Sequence, residues 1–73
     1  MADSVYRVTE LVGTSSESWE RAAAAAVETA SQTLRDLRIA EVLQLDLQLE
    51  NGQVRAYRAR IKVSFKYERG GDS

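Results

Sequence analysis

The chain has 73 residues, with 10 basic and 11 acidic side chains and a formal net charge of -1. That length allows one small domain, and the near-neutral charge names no partner. It has neither Cys nor His, which excludes a disulfide framework, a thiolate nucleophile, a His general base and any zinc site built on those ligands. No apolar run approaches the ~20 residues of a membrane span. Met1 to Ser4 lacks the basic-then-apolar pattern of an export signal, so a cytoplasmic protein is expected.

Apolar residues make up 44% of the chain, but ten of them are alanine and bury little area. One core of this size barely offsets the entropy of ordering the chain, and no disulfide is available. Oligomerisation or a bound ligand must supply the remainder, so a homo-oligomer is expected.

The elements follow in order. Val5 to Val12 is rich in Val, Tyr, Thr and Leu and reads as a strand ending at Gly13. Both of its alternating sets mix apolar with polar residues, which predicts a strand covered on one face by its own helix and on the other by neighbouring subunits. Thr14-Ser15-Ser16-Glu17 fits a capping box with Thr14 as cap, or with Ser15 or Ser16 in its place. Trp19, Ala22, Ala23, Ala26, Val27, Ala30, Thr33, Leu34 and Leu37 then recur at spacings of three and four, an apolar helical stripe about five turns long.

Ile39 to Leu49 alternates, with Leu43, Leu45, Leu47 and Leu49 on one face and Gln44, Asp46 and Gln48 on the other. Glu50-Asn51-Gly52-Gln53 is a turn. Val54 to Glu68 alternates again, with Tyr57, Ala59, Ile61, Val63, Phe65 and Tyr67 against Arg58, Arg60, Lys62, Ser64 and Lys66. A two-residue Asn51-Gly52 loop would set Leu45 opposite Arg58. A three-residue loop ending in Gln53 sets Leu47 opposite Tyr57, Leu45 opposite Ala59, Leu43 opposite Ile61 and Asp46 opposite Arg58. The second is predicted, because a one-residue slip would expose the apolar face. The expected fold class is therefore α+β: a β-α-β-β chain whose three-stranded antiparallel sheet wraps one helix, its last strand central. Residues 1–4 and the tail 69–73 are expected to be disordered, with one domain over 5–68.

Val5-Tyr6-Arg7-Val8-Thr9-Glu10-Leu11-Val12-Gly13-Thr14-Ser15 resembles the opening of the dodecins, small flavin-binding proteins that form hollow dodecamers. The likeness continues through Ala30-Ser31-Gln32-Thr33-Leu34-Arg35-Asp36-Leu37 and Lys62-Val63-Ser64-Phe65, without a gap over roughly residues 5 to 67. It implies a homododecamer that stores a small ligand. In flavin-binding dodecins the helix runs into the second strand as Leu-Arg-Trp-Phe-Glu-Val, and the Trp stacks on the flavin ring. Here the segment is Leu37-Arg38-Ile39-Ala40-Glu41-Val42, with Ile39 at the stacking position. Arg58 stands where those proteins carry a Gln that hydrogen-bonds the ring's polar edge. Ile39 has no π-face, and Arg58 has no acceptor. Riboflavin or FMN binding is therefore expected to be absent or weak. Ser18-Trp19-Glu20-Arg21-Ala22-Ala23 and Arg38-Ile39-Ala40 are more similar to the calcium dodecin branch, which implies cation binding by the assembly.

Calcium takes six to eight oxygens, and no EF-hand loop is present. Copies related by symmetry could pool carboxylates, and the candidates are Asp46 and Glu10, then Glu41 and Glu50. The plainer reading pairs Asp46 with Arg58 across the strands, places Glu10 in an interface salt bridge, and leaves Glu41 and Glu50 solvated. Arg55, Arg58, Arg60, Lys62, Lys66 and Arg69 make the last strand basic, but its aromatics lie on the apolar face and cannot stack on bases. Ion pairing is expected there, and no nucleic acid. Trp19 reads as core or interface rather than a ligand platform. The Ser and Thr cluster reads as helix capping, so no enzyme is expected. A binding and storage oligomer, for a cation of the calcium type ahead of flavin, and a ligand-free structural module are the functions compatible with these residues.

Overall fold

The computed structural model describes residues 4–66. Its elements are β1 (Tyr6–Ser15), α1 (Trp19–Ala30), β2 (Leu37–Glu50) and β3 (Gln53–Lys66). The sheet order is β1-β3-β2 with both pairings antiparallel, which is the expected α+β arrangement with the last strand central. The expected disorder of the tail and most of that of the N-terminus lie outside the described residues, as do Tyr67 and Glu68.

β1 does not stop at Gly13. It continues to Ser15, with Gly13 opposite Ala59 and Ser15 opposite Tyr57. Gly13 is a close-approach residue: a Cβ there would stand 2.0 Å from the Ala22 carbonyl oxygen and 3.0 Å from the Ala26 Cβ. Because Thr14 and Ser15 are still paired in the sheet, neither caps the helix. Ser18 does, its hydroxyl accepting from the Arg21 N–H at 3.0 Å. Ser15 Oγ accepts from the Glu17 N–H at 2.9 Å and steadies the entry to the helix.

α1 is 12 residues long, shorter than the five-turn stripe. The Ser31 N–H closes on the Val27 carbonyl, and Asp36 adopts φ 56°, a left-handed turn that swings the chain into β2. Leu34 and Leu37 fall past the helix end yet still pack on the core, which is why they extended the periodic stripe.

The hairpin uses the loop that register reasoning rejected. Glu50 pairs with Gln53 around a two-residue Asn51-Gly52 turn, with φ of 54° and 76°. A bulge then corrects the slip: Gln48 pairs with Ala56 and Leu49 with Val54, leaving Arg55 extra. The pairs predicted beyond it are present: Leu47 with Tyr57, Asp46 with Arg58 and Leu45 with Ala59; Gln44 pairs with Arg60. A second bulge at Leu43 puts Val42, not Leu43, opposite Ile61.

The core is small. Among the described residues Ala22, Ala26, Ala30, Ala59, Ile61 and Val63 are the buried apolar ones, and only Ile61 and Val63 of these are large. The sheet wraps the helix as expected, and the helix packs chiefly on β1 and β3 and scarcely on β2. Length explains this: 12 helical residues span about 18 Å, and 14 strand residues about 46 Å. The β2–β3 ribbon therefore runs on uncovered, and Leu45, Leu47 and Leu49 are 48%, 41% and 62% exposed on the side that faces the helix. The radius of gyration is 15.2 Å, against about 11 Å for a compact domain of this length.

Candidate functional site

The face of the sheet away from the helix carries the candidate residues. Strand alternation and the observed register put Tyr6, Val8, Glu10 and Val12 of β1 there, with Arg58, Arg60, Lys62 and Ser64 of β3 and Ile39, Glu41, Gln44 and Asp46 of β2. Tyr6, Val8, Val12 and Ile39 are exposed apolar groups on this face, and Asp46, Glu10 and Glu41 form a ladder of ion pairs with Arg58, Arg60 and Lys62.

Asp46 and Arg58 are the best-formed rung. Arg58 Nε donates to one carboxylate oxygen at 2.8 Å and its terminal nitrogen to the other at 3.1 Å, a bidentate pair. The hydrogen bond from Arg58 holds the Asp46 carboxyl below its ordinary value. Partial burial opposes this, and the charges of Arg58 and Arg60 reinforce it. The Arg58 guanidinium is raised by the same contact. Asp46 is fixed from a second side that single-strand reasoning missed. Trp19 Nε1 donates to the Asp46 carbonyl at 3.0 Å, and the indole stands edge-to-face on Tyr57 with centroids 5.2 Å apart. The partners are 27 residues apart in the chain, and only the loop between β1 and α1 brings them together. Trp19 thus ties the start of the helix to the middle of β2.

The other rungs are looser. Glu10 approaches Arg60 at 3.9 Å and Glu41 approaches Lys62 at 3.7 Å, while Glu50 meets Arg55 at 2.7 Å beside the turn. Glu41 and Glu50, read as solvated, are thus paired, though both remain more than half exposed. Glu10 has this partner within its own chain. Among the described residues no three carboxylates converge in one subunit, so the donors for a calcium shell, Asp46 and Glu10 included, do not come together there.

Ile39 pairs with Ser64, six residues along β3 from Arg58. That is about 20 Å of strand. One subunit therefore cannot offer both side chains to one flavin-sized ligand.

The family profile of the dodecins matches residues 5–68. The chain belongs to the dodecin family. It is 43% identical over 63 residues to calcium dodecin of Mycobacterium tuberculosis, covering 86% of this chain and 89% of that one. It is 39% identical over 64 residues to the dodecin of Thermus thermophilus, covering 88% and 93%. Among solved structures, the dodecin of Streptomyces coelicolor superposes with a TM-score of 0.88 at 44% identity, over 96% of this chain and all of that one. The M. tuberculosis calcium dodecin, described as calcium-chelating and as having a novel calcium-binding site, superposes with a TM-score of 0.81 at 42% identity, over 89% and 93%. Among the described residues no helix of this dodecin is long and apolar enough to cross a membrane.

The Asp46–Arg58 pair sets a pH dependence. A carboxyl lowered in the folded state adds stability above its unfolded value, near 3.9, and loses it as pH falls toward the folded value. Asp46→Asn is expected to melt below the wild type at pH 7 and level with it near pH 2. Thermal melts across that range check this, and a constant gap would contradict it.

Proposed function

We propose that this dodecin is a non-enzymatic binding and storage protein, assembled as a homododecamer whose ligand sites are completed between copies, and that its ligand is a cation of the calcium type. The observation that carries the reading is the state of the two positions matching the family's flavin groups. Ile39 offers no ring, and Arg58 is held by Asp46 about 20 Å of strand away. Any ligand that needs both positions needs at least two chains. The similarity to calcium dodecin supports the cation over flavin. Asp46 and Glu10 are the proposed oxygen donors, contributed by symmetry-related copies rather than by one. A binding role also suits a chain without Cys or His, in which no nucleophile has a neutral-pH base beside it.

A ligand that binds only the folded assembly must stabilise it, by about 2.7 kcal/mol at a hundredfold excess over the dissociation constant. Millimolar calcium is expected to raise the melting midpoint by several degrees, and a chelator to reverse the rise. An unchanged midpoint in both conditions would sink the cation. Riboflavin fluorescence should stay unquenched at sub-micromolar protein; quenching there would assign the site to flavin instead.

A further inference from the structure

Five ion pairs among the described residues join Glu10, Glu17, Glu41, Asp46 and Glu50 with Arg21, Arg55, Arg58, Arg60 and Lys62. Glu20, Glu28, Arg35, Asp36, Arg38 and Lys66 stand outside these pairs, and two groups of opposite sign can be drawn from them. Arg35 and Lys66 line a depression of about 370 Å³ at the start of β1, which Arg7, Asp36 and Phe65 also line. Glu20 and Glu28 lie on one exposed line of α1 with Ala24 between them, spaced i, i+4, i+8. Glu28 and Ala24, with Arg21 (paired to Glu17), line a smaller depression against Thr14 and Ser15 at the far end of β1. Arg7 and Thr14 mark the two ends, seven residues or about 23 Å of strand apart. Among the described residues no ion pair joins the two groups inside one chain.

Resting on the oligomeric reading above, we infer that the acidic line of α1 on one copy docks into the Arg35–Lys66 depression of a second copy. The complementarity of charge is the argument: each copy carries one half of the pairing at each end. The small side chains beside Glu28 let long cationic side chains lie flat against the helix. Two different patches make a heterologous contact, which closes into a ring when the rotation between copies closes.

Sedimentation of Glu20→Lys/Glu28→Lys tests this. All four positions in the test are exposed, so the folded subunit should survive their substitution. Like charges across the contact should raise the concentration at which the assembly dissociates by about tenfold or more. Adding Arg35→Glu/Lys66→Glu to the same chain should restore it. Should the lysine variant fail to fold, Glu20→Gln/Glu28→Gln should weaken assembly in the same direction with a reduced dependence on salt. Assembly of both acid-side variants at wild-type concentrations would overturn the inference. So would assembly of the Arg35→Glu/Lys66→Glu variant alone at wild-type concentrations, since the depression would then face no acidic partner. A wild-type monomer would instead remove the oligomeric reading itself.

Discussion

Gly13→Ala is expected to cost this fold about 3 kcal/mol or more, at the upper end of what overpacking a tight contact costs. The smallest possible side chain at this position would stand 2.0 Å from the Ala22 carbonyl oxygen. That neighbour is backbone in the middle of α1, so it cannot swing aside as a flexible side chain would. Relief requires α1 to lift from β1, and Ala22 and Ala26, two of the six buried apolar residues, would lift with it. Total stability for a chain this size is on the order of 4–11 kcal/mol, so a loss of that size is a large fraction of it. Gly52→Ala is the matched control. It sits at φ 76° with nothing within 4 Å, so only the backbone conformation opposes it, at about 1 kcal/mol. Thermal melts of the two variants separate the causes. A Gly13→Ala protein that melts within a degree or two of the wild type would show that the helix does not press on the strand as described.

Leu45→Glu/Leu47→Glu is expected to dissociate the assembly while leaving the subunit's own core intact. The two leucines lie on the part of the β2–β3 ribbon that α1 does not reach, and they are 48% and 41% exposed in the single chain. Burying a leucine fully contributes about 1.5–3 kcal/mol, and placing a carboxylate there instead adds a desolvation cost. Ile61 and Val63, the large core side chains, are untouched. Gel filtration should show a shift to a small species with retained helix signal. An unchanged elution volume would mean that the ribbon stays open to solvent in the assembled protein.

Several features were legible from residue order because they rest on local physics. Period-two alternation marked β2 and β3, and the family likeness and hydrophobic register placed β3 centrally. The pairing of Asp46 with Arg58 followed from keeping the leucines off the arginine face. Other features rest on tertiary contact and were misread. Gly13 resembles a strand breaker in sequence, but its role is set by a helix that returns over it nine residues later. Leu34 and Leu37 keep helical spacing because they finish the same core, although Asp36 has already turned the chain. The Asn51-Gly52 turn is the preferred two-residue hairpin loop, and the register argument against it failed because a bulge at Arg55 absorbed the slip. The Trp19 hydrogen bond to the Asp46 carbonyl left no trace in either segment alone. Nor do the described residues of one chain form a ligand shell, since their carboxylates are spread along the sheet face away from the helix.

Native mass spectrometry of the purified protein addresses the central claim, that a subunit with so slight a core and so long an uncovered ribbon is stable only beside its copies. The account predicts an assembly of about twelve times 8.1 kDa, with any tightly held ion still attached. A compact, cooperatively melting 8.1 kDa species at micromolar concentration would contradict it.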